Sequence, residues 1–155
     1  MLDRLNLYFD QVVPAITAEG GEVLKFMGDA VLAFFHRDSG PEDSCGAAFA
    51  AACQALSRID SLPHAGTPLL AGVALHHGEV AYGNIGSEGR LDFTVIGRDV
   101  NLVSRIQTVC ATTGHPLLMS SQFAATLGEQ RSRSIGRHPL KGFSEPIELF
   151  TSESY

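Results

Sequence analysis

Arg90-Leu-Asp-Phe-Thr-Val-Ile-Gly-Arg-Asp-Val-Asn-Leu-Val-Ser-Arg105 is the stretch of sequence that decides the fold. Its first half is rich in apolar, β-prone residues and stops at Gly97, which predicts a strand that ends in a turn. A helix is predicted to follow from about Val100 to Cys110, with Asp99 as its cap and Gly114 as its stop. The apolar residues that recur at helical spacing on one face of this helix are Val100, Val103, Ile106 and Val109.

Asn101 and Arg105 are four residues apart, so the predicted helix places one a turn above the other. A neutral hydrogen-bond donor beside a planar cation suits the ribose and phosphate oxygens of a nucleotide. Polar residues also line the solvated face of most surface helices. The pair alone therefore does not distinguish a binding site from an ordinary exposed face.

A second informative stretch, Glu22–Phe35, contains two apolar runs around Gly28-Asp29. This pattern predicts a β-hairpin with an acidic residue at its tip. The Asp29 carboxylate has two interpretations: it belongs to the chemistry of the turn, or it is a hard oxygen ligand for magnesium.

Length and composition predict one globular domain over residues 1–155, because 45% of the 155 residues are hydrophobic and can form a core. The formal net charge of -6 excludes a general basic surface for nucleic acid, so any anion site has to be local. Apolar runs are too short to span a bilayer, and no signal sequence opens the chain. We therefore expect a cytoplasmic protein without membrane contact.

The cysteines and the paired histidines are expected to be structural. Cys45, Cys53 and Cys110 are odd in number and lack metal-type spacing, which favours small buried groups in a reducing compartment. His76 and His77 are adjacent, so in a strand their side chains would point to opposite faces.

The remaining pattern predicts an α+β fold, with helices on one side of a mostly antiparallel sheet. The other predicted helices are a first helix through Ile16 that Pro14 bends or interrupts, an Ala-rich helix from Pro41 to about Ile59, and a short helix at 121–127. The other predicted strands are 69–75, 79–82, 116–119, 140–143 and 147–150, with a flexible connection at 83–89 and a frayed tail at 151–155.

Four stretches carry a resemblance to a known family. They are Lys25-Phe-Met-Gly-Asp-Ala-Val-Leu-Ala-Phe-Phe, Gly78-Glu-Val-Ala-Tyr-Gly-Asn-Ile-Gly-Ser, Asp92-Phe-Thr-Val-Ile-Gly-Arg-Asp-Val-Asn-Leu-Val-Ser-Arg105 and Leu140-Lys-Gly-Phe-Ser-Glu-Pro. Together, in order and spacing, they resemble the class III adenylate/guanylate cyclase catalytic domain over nearly the whole chain. The resemblance implies a ferredoxin-like antiparallel sheet with helices packed on it.

The resemblance implies an adenylate cyclase, which converts ATP to cyclic AMP and pyrophosphate by attack of the ribose 3′-hydroxyl on the α-phosphate. Asn101 falls on the position that orients the ribose, and Arg105 falls on the position that stabilises the α-phosphate in the transition state. Asp29 falls on the second of two aspartates that hold two Mg²⁺ or Mn²⁺ ions in the family.

The resemblance also assigns nucleotide-binding positions. Lys25 and Thr94 fall on the positions that read the purine, where a lysine and a hydroxyl suit adenine, while relatives that use guanine usually carry Glu and Cys. Lys141 lies near the lysine that binds the terminal phosphate, although a solvated hairpin charge explains it equally well.

In the family each active site lies between two domains, so the resemblance implies a head-to-tail homodimer with two shared sites. One partner supplies the metal aspartates, and the other supplies the purine and transition-state residues. Val95 and Ile96 are candidates for the dimer surface, with the core as the alternative.

One part of the family's pattern is absent from the sequence. The family's opening strand, which supplies the first metal aspartate, has no counterpart before the first predicted helix, and Asp3 and Asp10 lie within the pattern of that helix. We therefore expect an N-terminally truncated fold whose open sheet edge a second copy could fill by strand exchange. The alternative function is a catalytically impaired nucleotide-binding or regulatory dimerisation module of the same family.

Overall fold

A computed structural model gives the fold and describes residues 2–36, 40–63, 71–79, 81–87 and 90–153, with the backbone alone for 81–87 and 90–96. The chain forms two compact units, Met1–Val73 and Ala74–Tyr155. The single domain over residues 1–155 stays a prediction.

The first unit packs two helices and a β-hairpin around one core. Its elements are α1 (Leu2–Ala18), β1 (Glu22–Met27), β2 (Ala30–Phe34) and α2 (Pro41–Asp60). α1 continues through Pro14, so of the two predicted effects the interruption is wrong and the bend stays a prediction. Because proline removes a single backbone donor, the buried face of α1 still holds the helix together. The core contains Val12, Ala15 and Ile16 of α1 with Ala55 and Ile59 of α2, and the half-buried Val23 and Val31 of the hairpin pack against it.

The predicted hairpin and its acidic tip are confirmed. β1 and β2 pair antiparallel with Met27 opposite Ala30, which leaves Gly28-Asp29 as a two-residue turn. Gly28 has a φ of 62°, a conformation that glycine adopts without steric cost. The turn chemistry therefore places the Asp29 side chain at the exposed end of the hairpin.

The second unit contains a four-stranded sheet, a two-stranded sheet and two helices. Its elements are β3 (Val73–Leu75, which begins at the end of the first unit), β4 (Ala81–Ser87), β5 (Arg90–Ile96), α3 (Arg98–Thr113), β6 (Leu117–Ser120), α4 (Ser121–Leu127), a 3₁₀ turn (Glu129–Arg131), β7 (Ser132–His138) and β8 (Ile147–Ser152). The larger sheet has the order β3-β6-β8-β7, with β8 antiparallel to β6 and β7. β4 and β5 form the second, antiparallel sheet. The predicted α+β class is confirmed.

α3 buries one face against the four-stranded sheet. The core residues of this contact are Leu102, Ile106 and Cys110 of α3 with Leu118 and Leu149 of the sheet. Val100 and Val103 of the predicted apolar stripe are only half-buried. Ile106 of that stripe lies in the core and Val109 packs against it, so the helical period is right and the buried face is rotated from the predicted one.

Three predictions about the strands are wrong. Residues 83–89 are not simply a connection, because β4 continues to Ser87 and pairs along its length with β5. Residues 140–143 form a turn, and β7 takes the place opposite β8, although its mostly polar sequence lacks the alternation that predicts a strand. Residues 151–152 complete β8 and are buried instead of frayed. Residues 69 and 70 of the predicted strand that ends in β3 lie outside the described residues.

The helices α1, α2 and α3 each bury only part of their surface. Across the described ranges, no helix combines the length and the apolar character that crossing a bilayer requires.

α3 ends as the sequence predicts, at a glycine. Gly114 has φ 72° and ψ 16°, and its N–H donates to the Cys110 carbonyl. Residues with a Cβ atom adopt this left-handed conformation at a cost, and asparagine adopts it more easily than alanine.

We expect Gly114→Ala to lower the free energy of unfolding by about 1 kcal/mol, because alanine is strained at positive φ. The control is Gly46→Ala in α2, where a Cβ would meet no atom within 4 Å. There we expect an increase of about 0.5–1 kcal/mol, because alanine favours the helix. Urea denaturation measures both changes, and a shift of the same sign in the two variants would contradict the assignment of Gly114 as the helix terminus.

Candidate functional site

The predicted transition-state pair lies on the solvent face of α3. Asn101 and Arg105 are both exposed, while their neighbours Leu102 and Ile106 are buried. Four residues along an α-helix rise by about 6 Å, the scale of a ribose and its adjoining phosphate. α3 therefore uses one face for the core and presents the Asn–Arg pair on the other.

The predicted cap of α3 is wrong. The N-cap is Gly97, which has no side chain to bond the helix, and Asp99 lies inside the first turn. The Asp99 carboxylate reaches the loop after β3 instead. Its Oδ1 is 2.8 Å from His76 Nε2, and its Oδ2 accepts a hydrogen bond of 2.9 Å from the backbone N–H of Glu79. These two partners fix the carboxylate away from the helix's own N–H groups.

The other side of the His76 ring contacts the end of β6. Its Nδ1 lies 2.6 Å from Ser120 Oγ, and this oxygen also accepts a hydrogen bond from the backbone N–H of Phe123 as the N-cap of α4. The His76 side chain is only 4% exposed, and Ser120 is fully buried. His76 is thus a buried link between elements, which agrees with the structural role expected of it. Sequence reasoning missed its partners because they lie 23 and 44 residues away.

Lys141 lies on a turn that contacts the start of α3. The Phe143 N–H donates to the Leu140 carbonyl, and Gly142 has a φ of 88°. Leu140 is buried in the core of the second unit, and the Arg98 guanidinium lies 5.1 Å from the centre of the Phe143 ring. Both contacts hold the turn and leave Lys141 exposed.

The hairpin carries the other two predicted side chains. Lys25 is exposed on β1 and directly follows an irregularity at Leu24, where the pairing register shifts. Such bulges redirect the side chains that follow them. Asp29 is exposed at the tip, and burial, together with the negative charge of Asp29, raises the pKa of the Tyr8 hydroxyl.

The predicted site residues belong to two groups. The first unit holds Lys25 and Asp29, and the second unit holds Asn101, Arg105 and Lys141. Thr94 lies on β5 with its backbone opposite Gly83, and its side chain is outside the described part of the chain. The convergence of both groups on one nucleotide stays a prediction.

The described side chains supply only part of the ligands that a divalent metal needs. Asp29 offers one exposed carboxylate, and the described residues contain no cluster of three His, Cys, Asp or Glu side chains that could hold an ion. One carboxylate can bind Mg²⁺ together with substrate phosphates. A two-metal clamp needs further ligands, so the described residues do not form one.

The chain is similar to solved nucleotide cyclases across nearly its whole length. It is 29% identical to a bacterial light-regulated adenylyl cyclase, with a TM-score of 0.83, and the match covers 96% of this chain and 44% of that chain. It is 28% identical to the guanylyl cyclase Cya2, with a TM-score of 0.76, over 99% of this chain and 82% of that chain. These similarities bear out the resemblance to class III nucleotide cyclase catalytic domains. The ferredoxin-like cyclase fold implied by the sequence motifs is confirmed.

The chain also matches part of a longer protein. It is 36% identical over 151 residues to an uncharacterized Mycobacterium tuberculosis protein, a match that covers 94% of this chain and 27% of the relative. The chain thus spans about a quarter of the length of this relative. No protein-family model matches the chain.

We expect Gly78→Ala to destabilise the fold. A Cβ at Gly78 would lie 2.6 Å from the carboxylate carbon of Asp99 and 2.8 Å from His76 Nε2. Such overpacking typically lowers the free energy of unfolding by about 1–3 kcal/mol. Gly46→Ala, which meets open space, is the matched control. Urea denaturation measures both, and an unchanged midpoint for Gly78→Ala would show that the loop is not packed tightly on Asp99.

Proposed function

We propose that the chain is an adenylate cyclase domain, which converts ATP to cyclic AMP and pyrophosphate for intracellular signalling. The observation that carries the proposal is the exposed Asn101 and Arg105 pair on α3, in a chain that is similar to solved nucleotide cyclases. The proposed location is the cytoplasm, a reducing compartment that suits the buried thiols of Cys45 and Cys110.

In the proposed reaction, a bond forms between the ribose 3′-oxygen and the α-phosphorus, and the bond from that phosphorus to the bridging oxygen of the β-phosphate breaks. Pyrophosphate leaves with the electron pair, and the 3′-hydroxyl proton passes to water. Arg105 stabilises the charge that develops on the α-phosphate oxygens, and Asn101 orients the ribose. Positioning and electrostatic stabilisation are the main means of catalysis in phosphoryl transfer.

Three further residues are proposed to bind the nucleotide. Lys25 and Thr94 bind the adenine edge, and Lys141 binds the terminal phosphate. The similar solved structures include an adenylyl and a guanylyl cyclase, so family membership alone does not select the base. The side-chain chemistry of Lys25 and Thr94 favours ATP, because the lysine ammonium and the threonine hydroxyl can donate to adenine ring nitrogens.

Asp29 is proposed as one ligand of a divalent cation, Mg²⁺ or Mn²⁺. When bound, the cation neutralises charge on the triphosphate, and the substrate phosphates complete its coordination with water. The exposed position of Asp29 at the hairpin tip supports this role.

The catalytic assembly is proposed to be a head-to-tail homodimer in which Asp29 of one copy serves Asn101 and Arg105 of the other. Support comes from apolar side chains on β1, the strand that also carries Lys25. Phe26 is 54% exposed and Met27 is 39% exposed. Exposed aromatic and methionine side chains are typical of protein interfaces, and a second copy of the chain is the proposed occupant.

A second function is favoured by the single metal carboxylate. A domain that binds nucleotide but cannot complete the metal site would act as a regulatory dimerisation module. The two functions differ in one measurable quantity, the formation of cyclic nucleotide.

We expect Arg105→Ala to lower kcat for cyclic AMP formation by about 10²–10³-fold, because it removes a donor to the transition state. Arg133→Ala is the matched control, since Arg133 is exposed on β7 and has no proposed role. Product formation from ATP and from GTP, with Mn²⁺ or Mg²⁺, is the measurement. Wild-type product no higher than that of Arg105→Ala would favour the regulatory module, and faster turnover of GTP would contradict the adenine assignment.

We expect Asp29→Asn and Arg105→Ala to be inactive alone and to recover activity when mixed. Random pairing makes half the dimers mixed, and each mixed dimer has one of its two sites intact, so about a quarter of wild-type activity returns. Recovery of activity after subunit exchange is measured against each variant alone. An inactive mixture whose dimers exchange normally would contradict the shared site.

A further inference from the structure

We propose that His76 is a positioning residue for the cyclase reaction, which holds the first turn of α3 and thereby places Asn101 and Arg105. This inference rests on the proposed function. The ring bridges two elements that the reaction does not otherwise connect. On one side it contacts Asp99 in α3, and on the other it contacts Ser120 at the end of β6.

For a neutral ring, the hydrogen-bond partners define one arrangement of protons. An ionised carboxylate only accepts, so His76 Nε2 carries the proton that is donated to Asp99. In the neutral ring Nδ1 is then the acceptor, and the Ser120 hydroxyl donates to it. The Ser120 oxygen accepts in turn from the Phe123 N–H. Among the described side chains, no buried polar atom lacks a hydrogen-bond partner.

This geometry favours positioning over direct chemistry. Serine, histidine and aspartate also occur in hydrolases, but Ser120 is fully buried and its oxygen already bonds the α4 backbone. It therefore cannot meet a substrate. Asp99, in contrast, is two residues before Asn101 on the same helix. A shift of the first turn therefore moves the ribose-orienting side chain directly.

The apolar core cannot replace this link. Leu102, Ile106 and Cys110 fix which face of α3 is buried, but hydrophobic contacts are non-directional and tolerate small shifts along the helix axis. Gly97 provides no capping side chain. The bonds to His76 and to the Glu79 N–H supply the directional restraint, and a misplacement of about 1 Å costs roughly 10²-fold in rate.

Three substitutions separate the two contacts of the ring. His76→Gln places an amide nitrogen near the position of Nε2 and keeps the bond to Asp99. His76→Asn places an amide oxygen near the position of Nδ1 and keeps the bond to Ser120. His76→Phe keeps a ring of similar size and loses both bonds. If positioning runs through Asp99, only the glutamine variant keeps the first turn of α3 in place.

We expect His76→Gln to retain kcat within about threefold, and His76→Asn and His76→Phe to lose about 10–50-fold, with KM for ATP changed less than about twofold. Steady-state kinetics and thermal unfolding are measured on the same preparations. The stability control is Thr151→Val, which removes a buried hydrogen bond from Thr151 to the Leu117 carbonyl. We expect this variant to lower Tm and to leave kcat unchanged.

Equal kcat values for His76→Gln and His76→Asn would overturn the proposal, as would a kcat that simply follows Tm across all variants, Thr151→Val included. If His76→Phe does not fold, the comparison of kcat between His76→Gln and His76→Asn still tests the proposal.

A readout without catalysis separates this inference from the proposed function. If the wild-type protein makes no cyclic nucleotide, the proposed function fails, while hydrogen exchange at the Asn101 amide still reports on the first turn of α3. This amide donates to the Gly97 carbonyl over 3.3 Å. We expect faster exchange in His76→Asn than in His76→Gln, and equal rates would overturn the positioning role.

Discussion

The arrangement of the second unit depends on the hydrogen bonds of the Asp99 carboxylate. It joins the first turn of α3 to the loop after β3, and through His76 it reaches the end of β6. Hydrogen bonds to charged groups contribute about 1.5–3 kcal/mol each, and a buried partner left without its bond costs a similar amount. Packing decides which face of α3 is buried, and these bonds decide where along the sheet the helix begins.

The two faces of α3 differ in chemistry. One face contributes Leu102, Ile106 and Cys110 to the core, and the other exposes Asn101 and Arg105. The turn at Lys141 is attached to the same helix through the contact of Arg98 with Phe143. Residues proposed to bind phosphate are thus held by a rigid element of the fold, which limits the motion that a bound nucleotide would have to restrain.

The sequence predicts local features well and long-range partners poorly. The hairpin tip at Gly28-Asp29 and the end of α3 at Gly114 follow from the conformational freedom of glycine, which acts within a few residues. The family motifs locate Asn101 and Arg105 on one helix. The partner of Asp99 could not be predicted, because His76 lies 23 positions earlier in the sequence and is brought to it only by folding. β7 was missed since its mostly polar sequence gains its strand conformation from pairing with β8.

The double use of Ser120 has an evolutionary consequence. Its oxygen caps α4 and also contacts His76, so a change at this position loosens two helices at once. Threonine is the one genetically encoded aliphatic replacement that retains a hydroxyl on the β-carbon. Among homologues, therefore, positions 76, 99 and 120 are expected to mutate as a set, and lineages that lose one of these side chains should lose the others or acquire a compensating network.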